Sequence, residues 1–163
     1  MRQRPTWIAA VIALLVLASD QASKAWAQAS LRPDHEVVVI PGWLWFRLTS
    51  NSGASLGLLR GQNLLFAAVS TVVVVAVAVI VLRGAPGAVG AAALGAVAGG
   101  ATGNLVDRVR LGAVIDFIEV HLWPTDFNLA DAAIRLGVIV FVLTLLIGRR
   151  WRPRPDVRSG RTG

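Results

Sequence analysis

The segment LLFAAVSTVVVVAVAVIVL, residues 64–82, decides the class of fold to which this chain belongs. It carries no charged residue, and it is long enough to cross the hydrocarbon core of a bilayer, which takes a helix of about 20 residues. The whole chain agrees, because 55% of its 163 residues are hydrophobic and only 15% are charged. Soluble domains are about one quarter charged. We therefore predict a membrane protein in which residues 64–82 form the second transmembrane helix.

A first span precedes this segment. Residues 7–18 are apolar, and Asp20 and Lys24 follow at the i,i+4 spacing of a favourable helical ion pair. A helix that includes this pair covers about residues 7–27, the length of a span. The short apolar run and the sequence AWA at residues 25–27 also fit a cleaved secretory signal peptide. The residues alone leave both interpretations open.

Two further spans follow the second. The third is predicted over about residues 88–106, and in it Gly95, Gly99 and Gly103 stand four residues apart. This spacing lines one helix face with glycine, which allows a neighbouring helix to approach closely. The fourth span is predicted over about residues 128–147.

Basic residues mark the cytoplasmic side. They are Arg2 and Arg4 before the first span, Arg83 between the second and third, and Arg149, Arg150, Arg152, Arg154, Arg158 and Arg161 after the fourth. Because cytoplasmic loops are enriched in Arg and Lys, we predict that both termini and the Arg83 turn face the cytoplasm. The net charge of +7 also fits a surface for nucleic acid or anionic lipid. The basic residues flank the apolar spans, which favours a role in setting the membrane topology. We therefore predict no nucleic acid partner.

The segments between spans one and two, and between spans three and four, are predicted to lie on the outer side of the membrane. About residues 35–60 contain two β-prone runs, residues 37–40 and 43–48, around a Pro-Gly turn. We therefore predict a mainly α membrane fold, with four transmembrane helices and a small periplasmic β-rich subdomain between helices one and two. Residues 107–127 are predicted as a second outer segment, in which Glu119 and His121 are solvated loop residues.

Residues 1–151 are predicted to form one integral membrane domain. Residues 152–163 are predicted to be a basic, disordered cytoplasmic tail, since they are polar and rich in arginine.

The composition narrows the possible chemistry. The chain has no cysteine, and its two histidines, His35 and His121, are far apart in the sequence. Thiol catalysis, disulfides and cysteine-ligated metals are therefore excluded, and we predict no metal site and no organic cofactor. Ser23 and Lys24 are adjacent and point to different helix faces, which disfavours a serine–lysine pair. Ser52 or Ser55 could reach Lys24 only across segments, which is also unfavourable. Paired aspartates remain as the candidate hydrolytic groups.

Polar residues from three spans share one predicted depth. At about 1.5 Å per residue they lie roughly 20 to 30 Å from the cytoplasmic ends of their helices. The set is Asp20, Lys24, Asn104, Asp107, Arg108, Asn128 and Asp131. Charges at this depth are costly unless they are paired or line a wet cavity, so the cluster predicts a functional site near the outer face. Structural ion pairing between helices is an equal alternative for Asp20, Lys24 and Asp107.

Asp116 and Asp131 have no obvious partner in the sequence except Arg108 and Arg135. Two aspartates in one site separate their pKa values, so that one can act as a base and the other as an acid. Arg135 follows Asp131 at the spacing of a helical ion pair, but we predict that it points elsewhere.

Four blocks of sequence carry a resemblance to a known family. They are DQASK at residues 20–24, NSGASLG at 51–57, GGATGNLVDR continuing to the aspartate and phenylalanine at 99–117, and FNLAD at 127–131. In this order, on four spans, they resemble the lipoprotein signal peptidases, an intramembrane aspartic protease family. The resemblance implies that the first helix is retained. Leu56 departs from the pattern, because many relatives carry an aromatic residue there.

The resemblance also implies roles for individual residues. Asp116 and Asp131 match the catalytic aspartates. Asn51, Asn104, Arg108 and Asn128 match the substrate-binding residues, while Asp20, Lys24 and Asp107 are expected to be structural.

The implied reaction is endoproteolysis of diacylglyceryl-modified prolipoproteins before the lipidated cysteine. It would take place at the periplasmic face of a bacterial inner membrane, in a monomer surrounded by membrane lipid. Two other functions remain open on the residues alone: a small four-helix transporter that uses buried carboxylates, and a scaffold for membrane assembly.

Overall fold

The structure, a computed structural model, describes residues 6–33, 35–53 and 61–150. Its helices are α1 (Thr6–Ser30), α2 (Asn63–Gly84), α3 (Gly87–Leu111) and α4 (Leu129–Arg150), and its strands are β1 (Val37–Ile40), β2 (Leu44–Asn51) and β3 (Val114–Val120). Four long apolar helices and a small antiparallel sheet confirm the predicted fold class. The predictions for Arg2, Arg4, Leu56 and the tail at residues 152–163 lie outside the described residues.

The helix α3 is the centre of the bundle. Of the residues in its apolar stretch, 61% are buried inside the protein, compared with 11% in each of the other three helices. A Cβ at Gly99 would lie 2.5 Å from the carbonyl oxygen of Ala13 on α1. On the opposite side, a Cβ at Gly100 would lie 2.5 Å from the carbonyl oxygen of Ala130 on α4. Glycine therefore lets two helices pack directly on the α3 backbone.

All four helices extend beyond their predicted ends, and α3 does so the most. It continues to Leu111 rather than stopping at about residue 106. The polar residues in the last turns of α3 do not end this helix, because they find partners inside the protein. The helix ends at Gly112, whose φ of 75° is left-handed and whose N–H donates to the carbonyl of Arg108.

Asn128 lies just before α4 rather than inside the helix. Its Oδ1 accepts a hydrogen bond of 2.9 Å from the backbone N–H of Asp131, three residues later. This is the geometry of a helix N-cap, which explains why α4 begins at Leu129.

The sheet has a third strand that the sequence reasoning placed in an outer loop. β2 is central, and β3, from the connection between α3 and α4, pairs antiparallel with it. The prediction of a loop was wrong because the partner strand is distant in sequence: Thr49 lies opposite Asp116. Glu119 is likewise on β3 rather than in a loop, and it forms an ion pair of 3.2 Å with Arg47. His121 follows the strand in an exposed turn, beside the ring of Trp43.

Aromatic side chains anchor the sheet on the end of α1. The Trp26 ring meets Phe46 of β2 and Phe117 of β3 edge-on, with ring centroids 5.5 and 6.2 Å apart. Ala27 and Leu31 pack against the same Phe117 side chain. Edge-to-face aromatic pairs add about 0.5 to 1.5 kcal/mol each to the burial of their surface. This contact sets β3, and with it Asp116, against one end of the helix bundle.

Candidate active site

Asp116 is a buried carboxyl on the edge strand β3, and its side chain faces the helix bundle. The residue is 2% exposed. Its Oδ1 accepts a hydrogen bond of 2.7 Å from Asn128, and its Oδ2 accepts one of 3.2 Å from Asn51 at the end of β2. The neighbouring Thr49 hydroxyl donates to the Asp116 carbonyl over 3.3 Å. Two amide donors from different elements thus hold the two oxygens of one carboxyl.

Asp131 lies in the first turn of α4. Its Oδ1 accepts a hydrogen bond of 2.8 Å from the amide of Asn104 on α3. The N-terminus of a helix also favours a negative charge, because the first backbone N–H groups are unpaired there. Asp131 is therefore fixed by a contact between α3 and α4.

Asn128 connects the two aspartates. The residue is 0% exposed, and its Nδ2 lies 2.7 Å from Asp116, while its Oδ1 accepts the N–H of Asp131. The same Nδ2 also lies 3.3 Å from Asn104 Oδ1 and 3.2 Å from the carbonyl of Ile115. One buried amide therefore touches both carboxyl-bearing residues and the asparagine that orients the second.

Burial raises the pKa of the Asp116 carboxyl, and the nearby charge of Asp131 raises it further, to about 7. The amide donors of Asn51 and Asn128 act in the opposite direction, because they stabilise the ionised form. A carboxyl with a pKa near neutrality can hold or release a proton at physiological pH, which is what acid–base catalysis requires.

A second polar cluster lies directly beneath this pair. Lys24 forms ion pairs of 2.8 Å with both Asp20 and Asp107, so the predicted Asp20–Lys24 contact is present. Its ammonium also donates to Asn104 Oδ1 over 3.0 Å. Asp20 Oδ1 in turn accepts the backbone N–H of Ala130 on α4, at 2.9 Å. The cluster joins α1, α3 and α4 below the aspartates.

Gln21 completes that cluster, and sequence reasoning gave it no role of its own. Its amide lies 3.0 Å from Asp107 Oδ1 and 3.3 Å from the carbonyl of Gly103. Its place in the DQASK block, one residue after Asp20, was the available signal.

Arg108 stands at the other side of the site. Its guanidinium lies 5.5 Å over the ring of Phe66 on α2 and donates to the Asn104 carbonyl over 3.3 Å. Asn63 of α2 donates to the Arg108 carbonyl over 3.1 Å. Within the described part of the chain, Arg108 Nε is buried without a hydrogen-bond acceptor. Sequence reasoning missed Asn63 and Phe66, because neither belongs to a charged or repeated pattern.

A cavity of about 670 Å³ opens beside Asp116 and Asn51. Asp131 does not line it. Its rim carries Arg47, which contacts three carboxylates at 3.1 to 3.2 Å: Glu36, Glu119 and Asp126. The hydrogen bond that Arg47 donates to Asp126 is the main cause that raises the pKa of Arg47. This volume is within the range of small-molecule binding pockets, about 300 to 1,000 Å³.

Arg135 points away from Asp131, as predicted. Its guanidinium lies 5.0 Å from the ring of Trp123 and 5.5 Å from the ring of Phe127. In residues 6–33, 35–53 and 61–147, no cluster of three or more His, Cys, Asp or Glu side chains has the geometry to hold a metal ion.

Comparison with known proteins agrees with this geometry. Residues 12–147 match the family model described as signal peptidase (SPase) II. The lipoprotein signal peptidase of Syntrophomonas wolfei is 41% identical over 138 residues, which cover 84% of this chain and 92% of that protein. That of Pseudomonas fluorescens is 42% identical over 151 residues, covering 86% and 88%.

A solved bacterial membrane enzyme, determined by the in meso method, has the same fold. Its TM-score is 0.81 at 26% sequence identity, over 92% of this chain and 94% of that one. The family match includes both aspartates and most of each of the four helices, and the relatives align over most of their length. The chain belongs to the signal peptidase II family.

Proposed function

We propose that Asp116 and Asp131 are the catalytic pair with which this enzyme, an aspartic peptidase, removes signal peptides from prolipoproteins. The peptidase activity is inferred from membership of the signal peptidase II family. The assignment of the pair is carried by one observation: the buried amide of Asn128 donates to Asp116 and accepts from Asp131. An amide shared in this way keeps the two residues in one site.

The chemistry follows from one proton shared between two carboxyls. The ionised aspartate takes a proton from a water molecule, whose oxygen bonds to the carbonyl carbon of the scissile peptide. The protonated aspartate gives its proton to the carbonyl oxygen. When the tetrahedral intermediate collapses, the carbon–nitrogen bond breaks and a proton passes to the departing nitrogen. The pKa of Asp116, about 7, supports this residue as the partner that begins protonated.

Three of the four predicted substrate-binding residues already use their side chains inside the protein. Asn51, Asn104 and Asn128 donate to the aspartates, and their oxygens accept from Gly53, from Lys24 and from Asp131. These bonds favour a role in positioning the carboxyls. Arg108, whose Nε has no acceptor within the described part of the chain, is the group we assign to a substrate carbonyl.

We further propose that the substrate carries its diacylglyceryl group at the cysteine that follows the cleaved bond. The chain is a multi-pass bacterial membrane protein, and its aspartates lie at the helix ends that carry the sheet. A lipid-anchored peptide presents its scissile bond at this depth. The basic residues that flank the spans support cytoplasmic termini and a site at the periplasmic side.

We propose a single peptidase domain that acts as a monomer, because one chain supplies both aspartates and the asparagine amides that hold them.

Cleavage of a diacylglyceryl prolipoprotein by the purified protein in detergent tests the catalytic pair. Asp116→Asn and Asp131→Asn should each abolish cleavage. Glu36→Gln makes the same acid-to-amide change at an exposed position that pairs with Arg47, and it should retain cleavage. Wild-type rates in either aspartate variant would exclude the proposed pair. A substrate without the diacylglyceryl group should be cut far more slowly, and equal rates would contradict the lipid requirement.

A further inference from the structure

Arg135 differs from the other half-buried or buried cations that the structure describes. Lys24 and Arg47 contact carboxylates within 3.2 Å, and Arg108 lies in the field of three aspartates. Arg135 forms no ion pair and donates no hydrogen bond to any described residue. Its contacts are the rings of Trp123 and Phe127.

The aromatic contacts hold the guanidinium in place, but the rings do not accept the hydrogen bonds that its N–H groups can donate. Arginine is planar and carries five N–H donors in the plane of the group. A ring near the face of this plane stabilises the cation but leaves the donors at the edge available. Trp123 and Phe127 therefore hold Arg135 in one place, ready for an acceptor that the described residues do not supply.

The position of this group limits the possible acceptors. Arg135 is six residues after Leu129, the first residue of α4, so it lies about 9 Å along the helix from its outer end. Trp123, which contacts it, is 48% exposed, and the preceding residue Leu122 is 75% exposed. Apolar and tryptophan side chains on the surface of a membrane protein mark the interface between hydrocarbon and headgroups. An unpaired cation is costly there, and the anion that this layer contains is the phosphate of phospholipids.

We propose that Arg135, Trp123 and Phe127 form a binding site for the phosphate group of a membrane phospholipid. The guanidinium donates to two phosphate oxygens through its edge, and the exposed side chains contact the glycerol and upper acyl chain. Trp123 also lines the cavity beside Asp116, so the bound lipid stands next to the cavity rim. The site takes a lipid of the bilayer, and its cation, Arg135, is distinct from Arg108, the group that we assign to the substrate carbonyl.

Native mass spectrometry of the full-length protein in detergent tests the site, with dioleoylphosphatidylglycerol as the added probe. Arg135→Gln should weaken the tightest lipid binding about tenfold, because it removes a charged hydrogen-bond donor of similar size. Arg110→Gln is the matched control, since Arg110 is an exposed arginine near the same end of the bundle. It should bind the lipid as the wild type does. Arg135→Lys keeps the charge but loses the planar fork, and should give an intermediate affinity.

Two further probes identify the group that is recognised. Dioleoylglycerol has the same acyl chains without phosphate, and should not discriminate between the wild type and Arg135→Gln. Inorganic phosphate at millimolar concentration should not displace the phospholipid. Equal affinity of the wild type and Arg135→Gln for phosphatidylglycerol would overturn the proposal. Displacement of the lipid by inorganic phosphate would also overturn it, since the site would then be one for free phosphate.

Discussion

The ammonium of Lys24 donates to Asn104 Oδ1 over 3.0 Å, and this contact determines which way the Asn104 amide faces. An ammonium has only donors, so it selects the oxygen of the amide and leaves Nδ2 for Asp131, 2.8 Å away. A lysine on α1 thereby orients an aspartate on α4 through one residue of α3.

Asn104→Asp should therefore reduce catalysis more than it reduces binding. The new carboxylate still accepts from Lys24, but it presents an oxygen instead of a donor to Asp131. We expect kcat to fall about 100-fold or more with a small change in KM, because a charged hydrogen bond is lost and a like charge is added. Steady-state kinetics with a diacylglyceryl prolipoprotein measure kcat and KM separately. An unchanged kcat would show that Asn104 does not position Asp131.

Lys24→Met should destabilise the fold itself. Lys24 is 2% exposed and lies 2.8 Å from both Asp20 and Asp107, so its removal leaves two buried carboxylates without a counter-charge. Breaking a buried pair costs about 3 to 5 kcal/mol. Thermal unfolding in detergent should show a lower midpoint than the wild type. Arg83→Met, which changes an exposed arginine in the last turn of α2, should leave the midpoint unaltered.

The sequence could predict this cluster only in part. The spacing of Asp20 and Lys24 shows the ion pair, and helix length gives the common depth. Asp107 and Asn104 meet Lys24 only because α3 packs on α1. The glycine spacing of α3 predicts a close helix neighbour but does not identify that neighbour as α1. The strand β3 was missed for the same reason, since Thr49 and Asp116 pair over a long stretch of chain. The length and hydropathy of one segment are enough to predict a helix. Strand pairing and helix contacts depend on two segments that are distant in the sequence.

The stability of the wild type should fall as pH rises between about 4 and 7. The pKa of Asp116 is about 7 in the folded protein and has an ordinary value of 3.8. The folded state therefore binds this proton more tightly than the unfolded state does. The resulting stabilisation of the folded protein is fully present below pH 3.8, and it is lost as the pH rises through about 7. The difference corresponds to about 4 kcal/mol, since one pKa unit is about 1.4 kcal/mol.

Asp116→Asn removes this titration and provides the comparison. The unfolding midpoint of the variant should exceed that of the wild type increasingly as pH rises through this window. Parallel pH profiles for the two proteins would contradict the raised pKa of Asp116.

Asn51→Ala should move the pH dependence of cleavage. The Asn51 amide donates to Asp116 Oδ2 over 3.2 Å and lowers the pKa of that carboxyl, because it stabilises the ionised form. Without it, the pKa of Asp116 should rise, and the limb of kcat/KM near neutral pH should shift upward. Ser50→Ala, at the neighbouring residue on β2, should keep the wild-type profile. An unshifted limb in Asn51→Ala would mean that another group controls this titration.

Phe66→Leu should weaken substrate binding through Arg108. The Phe66 ring lies 5.5 Å from the Arg108 guanidinium, and such contacts are worth about 0.5 to 1 kcal/mol at partly exposed sites. We expect KM to rise roughly two- to fivefold with little change in kcat, because Arg108 is assigned to binding while the aspartates keep their own contacts. Phe66→Tyr retains the ring face and should restore the wild-type KM. Leu65→Ala, an exposed neighbour on α2, should change neither constant. A fall in kcat with an unchanged KM in Phe66→Leu would instead place Arg108 at the reacting carbonyl in the transition state, since only interactions gained there raise kcat.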